Sequence, residues 1–442
     1  MRRLRGVKSL VHDAVDHTVD LVELGHTSTA RGVMAVLSQI PPLAAPAAAV
    51  DTVRRITTAG ILASIKGVNH LVRVTTDAGL DAFAPASTVP EAALPLRSDV
   101  IGTPAWLADA AIGIANGVVG DHLEARRNGL DLDLVLRTVD GWLTPGALPD
   151  KRSTNAGPRI VVLIHGLATT EWSWCIDAEK NLGDPAANIG TLLQRDLGYT
   201  PIYVRYNTGR HISENGRALA DALRDLLSSW PDPVEEVLLI GHSMGGLVAR
   251  SACHLGAERQ DAWVGLTRRV VTIASPHQGA RLERFGNVAA RVLAAVDLPA
   301  TTIPARLING RSAGIKDLRY GYVHDEEWFG HDPDALLDDH RRSVALPDHI
   351  SWCFIAATLT SAPEHPFARA FGDLLVHVES AAGPSGAPRL QRHHHVGGVD
   401  HARVQTSLQV YTIVREFCAP GPTPFLEEGP VAPPTHGAFR SA

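Results

Sequence analysis

Short continuous apolar runs set the strongest constraint on how this 442-residue chain can fold. Strands that are covered on both faces have this appearance, whereas a strand with one wet face alternates apolar and polar residues. Most of the segments between the runs are long enough for helices, so the pattern predicts a parallel sheet with helices packed against it. The runs lie at 160–164, 201–204, 237–240, 270–273 and 352–357.

The chain before these runs has a different pattern. Apolar residues recur at helical spacing over 6–24, and weaker helical patterns lie at 51–80 and 104–118. Leucines then alternate with other residues over 130–136, which predicts a strand with one buried face at the start of the sheet.

These patterns divide the chain into parts. We expect an N-terminal helical segment, an α/β domain that contains a cap or lid insertion, and a proline-rich disordered tail. The boundaries are 1–125 for the helical segment, 126–418 for the domain, 280–348 for the insertion and 419–442 for the tail.

Composition excludes several classes of protein. Hydrophobic residues make up 45% and charged residues 20% of the chain, values typical of a globular protein. The net charge of −6 provides no electrostatic footprint for nucleic acid. The four cysteines lack the spacing of a zinc site or a disulfide framework, so we expect reduced, buried thiols. They are Cys175, Cys253, Cys353 and Cys418.

We expect neither a standard signal peptide nor a spanning helix near the N-terminus. Acidic residues such as Asp13 and Asp16 interrupt the apolar core that a signal peptide needs. The uncharged stretch 32–50 contains Pro41, Pro42 and Pro46, which a spanning helix does not tolerate together. We therefore expect a cytoplasmic protein; peripheral membrane contact through the N-terminal helices is the alternative.

A Gly-His-Ser-Met-Gly run at 241–245 directly follows the apolar run 237–240 and precedes a helix-like segment. This is the setting of a nucleophile elbow, in which a serine sits on a strained turn between a strand and a helix. The residues two before and two after the serine must lack side chains, and Gly241 and Gly245 meet that need. Ser243 is the candidate nucleophile, and a passive serine in a glycine-rich turn is the alternative.

The first apolar run leads into His165-Gly166-Leu167. Beside an elbow serine, one backbone N–H just after the nucleophile and one from the loop after an earlier strand hold the oxyanion. These two donors are the N–H groups of Met244 and Leu167. We expect His165 to orient the loop by hydrogen bonding rather than act as a base, and Gly166 to let the loop turn over the serine.

A serine nucleophile also needs an imidazole base and a carboxylate that orients the imidazole. In this architecture the chain order is Ser, then Asp or Glu, then His. Asp373 follows the run 352–357 after a short loop and is the candidate acid. Glu379 is the alternative acid, although its position suits the start of a helix better.

His401 is the candidate base. It opens an amphipathic segment that reaches Phe417, so we expect it in the turn between a last strand and a final helix. Among the histidines at 393–395, His395 is the alternative base. Consecutive side chains alternate across the faces of a strand, so we expect no metal site at this run.

Together these motifs resemble bacterial lipases and esterases of the α/β-hydrolase superfamily, in its GPI inositol-deacylase-like and triacylglycerol lipase branches. The resemblance covers residues 130–417, and its more specific parts are the elbow and the run 275–279. The motifs are His165-Gly166, Tyr206-Asn207-Thr208-Gly209, Gly241-His242-Ser243-Met244-Gly245-Gly246, Ala274-Ser275-Pro276-His277-Gln278-Gly279, Gly372-Asp373 and Asp400-His401. The chain departs from the pattern at Leu374, where a glycine often follows the acid, and in its N-terminal helical segment.

The resemblance implies an α/β-hydrolase fold and hydrolysis of lipid-like or other acyl esters through an acyl-enzyme. Ser243, Asp373 and His401 are then the triad, and the chemistry needs neither a metal nor an organic cofactor. An acyltransferase or amidase with the same triad is the alternative enzyme. A catalytically silent lipid-binding protein is the alternative from another class.

The run 275–279 follows another predicted strand and lies at the edge of the candidate site. It either shapes an acyl pocket, with His277 near the substrate, or is a turn that Pro276 and Gly279 fix. We assign His277 no catalytic role.

Overall fold

In a computed structural model of the chain, eight strands form one sheet with the order β2-β1-β4-β3-β5-β6-β7-β8. The structure describes residues 3, 5–13, 15–16, 19–20, 66–67, 69–70, 93–143, 156–280, 311–332, 339–344, 346–361, 373, 375–384 and 390–419. From β4 to β8 all neighbours are parallel, whereas β1 is antiparallel to both β2 and β4. The predicted α/β architecture is confirmed.

Each of the five apolar runs forms a strand of the parallel part of the sheet. These five are β3 to β7. The eight strands of the whole sheet are β1 (Val135–Arg137), β2 (Trp142–Leu143), β3 (Arg159–Ile164), β4 (Thr200–Arg205), β5 (Glu236–His242), β6 (Thr267–Ile273), β7 (Ser351–Thr358) and β8 (Gln391–Gly397).

Helices connect most of the strands and cover the sheet. They are α1 (Pro104–Ala125), α2 (Ala178–Leu182), α3 (Ile189–Leu197), α4 (Ile212–Ser228), α5 (Met244–Glu258), α6 (Ala262–Leu266), α7 (Ala313–Asp317), α8 (Val378–Ala381) and α9 (Leu408–Cys418). Short 3-10 turns lie at Ser98–Val100, Glu171–Cys175, Asp325–Glu327 and Val404–Thr406.

The hydrophobic core has one layer on each face of the sheet. On β3, Ile160, Val162 and Ile164 belong to one buried cluster, which includes apolar residues of α4 and α5. Val161 and Leu163 belong to the other cluster, which includes residues of α3 and α9. Successive side chains of a strand point to opposite faces, so this division explains why the runs are continuously apolar.

The first strand is shorter than the predicted one. The alternating leucines predict a strand over 130–136, but β1 begins at Val135. Upstream, the side chain of Asn116 on α1 donates to the carbonyl of Leu130 at 2.8 Å and accepts from the N–H of Leu132 at 3.0 Å. A side chain therefore satisfies the backbone groups that a ladder would otherwise use.

The predicted helical pattern at 104–118 corresponds to α1, which extends to Ala125. The described residues between 3 and 20 and between 66 and 70 are helical as well. The tail at 420–442 and most of the predicted insertion, 281–310 with 333–338 and 345, lie outside the described residues. The domain boundaries remain predictions.

Two further expectations concern the cysteines and the membrane. All four cysteines are free and buried. Within the described residues, no helix has the length and apolarity needed to cross a membrane.

Candidate active site

Ser243 lies on a sharp turn between β5 and α5. Its backbone has φ 53° and ψ −123°, a left-handed conformation that a side-chain-bearing residue adopts only under strain. Its N–H donates to the carbonyl of Ile273 at the end of β6, at 2.9 Å. The surrounding fold thus holds the strained turn in place, and the elbow geometry predicted from the sequence is present.

The glycines around Ser243 occupy positions where backbones meet. A Cβ on Gly241 would lie 2.5 Å from the carbonyl carbon of Gly245. A Cβ on Gly245 would lie 2.6 Å from the carbonyl oxygen of His165. A Cβ on Gly166 would lie 3.0 Å from the Cβ of Ser243, so this loop touches the nucleophile directly. Close approach is the physical reason for glycine at each position.

His401 and Asp373 join Ser243 in one chain of hydrogen bonds. The Nε2 atom of His401 is 2.8 Å from Ser243 Oγ, and its Nδ1 atom is 2.7 Å from Asp373 Oδ2. An ionised carboxylate only accepts, so Nδ1 carries the ring proton and Nε2 accepts from the serine hydroxyl. These three residues are called the Ser243 cluster below, and all three are buried.

Backbone groups hold Asp373 in position. Its Oδ1 atom accepts from the N–H groups of Leu375 and Val376 at 3.1 and 2.8 Å. Its own carbonyl accepts from the N–H of His401 at 3.1 Å. These two donors on Oδ1 fix the direction of Oδ2 toward His401.

His242 holds the backbone of the candidate base, His401, in position. Its Nε2–H donates to the carbonyl of His401 at 2.9 Å, and the two rings lie 5.0 Å apart. Burial keeps the pKa of His242 well below its usual range, and nearby His401 lowers it further. His242 is therefore neutral at pH 7 and anchors the loop of His401 without placing a positive charge beside it.

The two predicted oxyanion donors are the N–H groups of Met244 and Leu167. Met244 is the first residue of α5, so its N–H has no acceptor within that helix. Leu167 follows Gly166, the residue in contact with Ser243. Met244 thus directly follows the nucleophile in the chain, and Leu167 directly follows a residue that packs against it.

His165 does not join the Ser243 cluster. Its Nδ1 atom lies 2.9 Å from the carbonyl oxygen of Gly166, and its ring stacks on Tyr206 at 4.5 Å. The hydroxyl of Tyr206 donates to the carbonyl of His165 at 2.7 Å. Burial lowers the pKa of His165 to about 4, so the ring is neutral at pH 7. These contacts fit the predicted orienting role.

The alternative acid and the alternative base both lie elsewhere. Glu379 is exposed in the first turn of α8. His395 on β8 pairs with Thr358, with 2.8 Å between Nε2 and Oγ1. His277 is buried, and its Nε2 atom lies 3.1 Å from Thr272 Oγ1.

One group of three side chains among the described residues has the spacing of metal ligands. His254 and Glu258 lie one turn apart on α5, and their ligand atoms come within 4.8 Å of that of His324. However, the Nδ1 atom of His324 accepts from the N–H of Glu326 at 3.2 Å. The neutral ring then carries its proton on Nε2, so neither nitrogen has a free lone pair for a metal. We propose no metal site there.

A second buried polar group was not predicted from the sequence. Glu171 accepts from Arg205 at 2.7 Å and from Arg137 at 3.1 Å, and Arg205 also donates to Asp109 on α1 at 2.9 Å. Burial alone would raise the pKa of Glu171, but the two guanidinium groups outweigh it and the pKa is lowered. These four residues are called the Glu171 cluster below. Isolated charges beside apolar runs were the only signal for it.

Comparison with known families agrees with the motifs. Residues 200–305, which include β4 through β6 and the elbow, match the family model of the PGAP1-like alpha/beta domain. The predicted resemblance to lipase- and esterase-like hydrolases is confirmed for this part of the chain. No curated protein matches the chain.

Among solved structures, the Bacillus licheniformis lipase BlEst2 in mature form is similar at 16% identity, with a TM-score of 0.38, over 59% of this chain and 91% of that chain. An esterase from Pyrobaculum calidifontis is similar at 14% identity, with a TM-score of 0.34, over 59% and 76%. The Pyrococcus furiosus esterase Pf2001 is similar at 15% identity, with a TM-score of 0.33, over 60% and 82%. Values this low do not indicate a shared substrate.

Proposed function

We propose that the protein hydrolyses carboxylic esters through an acyl-enzyme on Ser243. The continuous hydrogen-bond chain from Ser243 Oγ through His401 to Asp373, with separations of 2.8 and 2.7 Å, carries this proposal. A serine hydroxyl is a poor nucleophile until a neighbouring base takes its proton, and this arrangement supplies the base and its orienting acid.

In the first half of the reaction, Ser243 Oγ bonds to the ester carbonyl carbon while its proton moves to His401 Nε2. The electron pair of the carbonyl moves to its oxygen, where the N–H groups of Leu167 and Met244 stabilise the charge. The carbonyl then re-forms, the bond to the alkoxy oxygen breaks, and His401 gives its proton to the departing alcohol. Asp373 stabilises the imidazolium while it exists.

In the second half, water takes the place of the alcohol. His401 removes one proton from water as its oxygen bonds to the acyl carbon, and the same oxyanion forms again. When this intermediate collapses, the bond to Ser243 breaks, the proton returns to Oγ and the free acid leaves. Another acceptor in place of water would give an acyltransferase or an amide-forming reaction, so the products identify the acceptor.

The test is hydrolysis of p-nitrophenyl esters from acetate to palmitate by wild-type protein and by Ser243→Ala. We expect the substitution to abolish turnover, with a fall in kcat of about 10⁵-fold or more, because alanine removes the hydroxyl that forms the acyl-enzyme. Ser228→Ala is the matched control, since Ser228 is an exposed serine at the end of α4. Wild-type activity in folded Ser243→Ala would refute the proposal, and the chain-length optimum would identify the preferred ester.

A further inference from the structure

The helix α1 precedes the sheet in the chain, yet it packs against the loop that follows the candidate oxyanion donor Leu167. Its buried residues are Gly113, Asn116, Gly117, Gly120 and Leu123. Glycine is the poorest helix former after proline, so three glycines on one buried face need a packing reason. The reason lies in what that face touches.

Gly117 rests on Ala168, the residue after Leu167. A Cβ on Gly117 would lie 2.6 Å from both the Cα and the Cβ of Ala168. Real Cβ atoms are never that close to a backbone carbon, so any side chain at position 117 displaces Ala168 or the helix.

The contact between α1 and the loop continues toward the N-terminal end of the helix. One turn earlier, a Cβ on Gly113 would lie 2.9 Å from Thr170 Cγ2 and 3.1 Å from the carbonyl of Thr169. Another turn earlier, Asp109 accepts from the indole N–H of Trp172 at 3.3 Å. Positions 109, 113 and 117 form one stripe of the helix. The stripe therefore follows the loop backward from Trp172 to Ala168.

Ala168 is held from its other side as well. Its N–H donates to Thr208 Oγ1 at 3.1 Å, and its φ of 57° is a strained value for a residue with a side chain. The loop reaches Ser243 two residues earlier, through Gly166. Leu167 thus lies between a residue in contact with the nucleophile and a residue clamped by α1 and Thr208.

The helix is itself fixed on another side. Val119 breaks the helical geometry, with φ −133° and ψ 26°. Near this kink, the carbonyls of Gly117 and Val118 accept from the hydroxyl and the N–H of Ser312, at 2.6 and 3.0 Å. Because these bonds hold α1 at the level of Gly117, a new side chain there shifts the loop at least as readily as the helix.

We infer that α1 is a wall of the active site and that Gly117 is a positioning residue, which fixes the direction of the Leu167 N–H through Ala168. This inference rests on the proposed function. It assigns part of the N-terminal segment, which lies outside the resemblance to hydrolases, an indirect effect on transition-state stabilisation.

The test substitutes Gly117→Ala and measures kcat and KM for p-nitrophenyl butyrate, together with the Ki of an alkyl trifluoromethyl ketone. The ketone forms a tetrahedral adduct with the serine and places its oxygen in the oxyanion site. Complete loss of one such donor lowers kcat by about 10²–10³-fold, so a displaced donor should lower it about tenfold or more. KM should change less than about twofold, and Ki should rise by the factor by which kcat/KM falls.

A rescue experiment distinguishes this contact from general destabilisation. Ala168→Gly in the Gly117→Ala background removes the Cβ, one of the two Ala168 carbon atoms 2.6 Å from the new methyl group, and glycine lets the backbone around the remaining Cα adjust at this positive φ. We expect the double variant to recover at least about threefold in kcat. Gly265→Ala on α6 is the control, because a Cβ there meets nothing within 4 Å, and its kcat and Ki should equal those of the wild type.

Folded Gly117→Ala with wild-type kcat and Ki would overturn the inference. If Gly117→Ala does not fold, Gly113→Ala takes its place, with a smaller fall in kcat and a correspondingly smaller rise in Ki expected; wild-type values there would also overturn the inference. Wild-type protein without Ser243-dependent hydrolysis would instead overturn the proposed function, and the inference with it.

Discussion

Two buried polar groups, the Ser243 cluster and the Glu171 cluster, lie in the same fold and differ in what faces the carboxylate. In the Ser243 cluster, Asp373 faces an imidazole and two backbone N–H groups. In the Glu171 cluster, the carboxylate faces the guanidinium groups of Arg137 and Arg205.

This difference determines what each cluster can do. An imidazole exchanges protons near neutral pH, so the Ser243 cluster can move a proton from a serine to a leaving group. A guanidinium keeps its protons at any pH at which the protein is folded, so the Glu171 cluster can only hold structure together. Burial of a carboxylate alone therefore does not identify a catalytic site; the partner's capacity to titrate does.

The largest expected effect is on the kcat of a variant in the Ser243 cluster. Asp373→Asn keeps the shape of the side chain but replaces an acceptor with an amide that can donate to His401 Nδ1. The imidazole then adopts the wrong tautomer toward Ser243, and we expect kcat to fall about 10⁴-fold. Steady-state hydrolysis of p-nitrophenyl butyrate by the wild type and the variant measures this change in kcat.

Asp348→Asn is the control for that change. Asp348 is an exposed carboxylate just before β7, at the opposite end of the strand from Asp373. Its kcat should match that of the wild type. A fall in kcat of less than about tenfold in Asp373→Asn would remove Asp373 from the triad.

The second effect is expected in stability. Glu171→Gln leaves two buried guanidinium groups without their shared carboxylate, and breaking a buried ion pair costs about 3–5 kcal/mol. Urea denaturation at pH 7 should show this loss as a lower midpoint at an unchanged slope. The kcat of the folded variant should fall less than about tenfold. A stability loss below about 1 kcal/mol would mean that the cluster does not hold the fold.

The smallest effect is the pH dependence of that stability difference. Because folding lowers the pKa of Glu171, its ionised form stabilises the folded chain above the unfolded pKa of about 4.3. This contribution is lost as the pH falls through the lower folded value. The difference in free energy of unfolding between the wild type and Glu171→Gln should therefore shrink from pH 7 toward pH 3. A difference that grows in acid would contradict the lowered pKa.

The sequence predicted the parallel sheet and the members of the Ser243 cluster for one reason. Short-range patterns determine both: a continuous apolar run predicts a covered strand, and side chains that follow such runs meet at one edge of a parallel sheet. Ser243 follows β5, and His401 follows β8 after a short turn. Chain order then indicated Asp373 as the acid.

Long-range contacts account for what the sequence did not predict. Asn116 binds the backbone at 130–132, and this contact shortens β1 from the predicted strand. Gly113 and Gly117 of α1 face a loop about 50 residues away in the chain and Gly120 faces Asn207, contacts that no local pattern shows. Their spacing at 113, 117 and 120, on the buried side of a helix, was the available signal.

The central claim, that the fold activates Ser243 as a nucleophile, is tested most directly by fluorophosphonate labelling of the native protein followed by peptide mapping. An activated serine attacks the phosphorus and stays covalently modified, whereas an ordinary hydroxyl does not react. We predict a single modified peptide that contains Ser243, no label in Ser243→Ala and much slower labelling in His401→Ala. Folded wild-type protein that stays unlabelled, or is labelled at another serine, would contradict the claim.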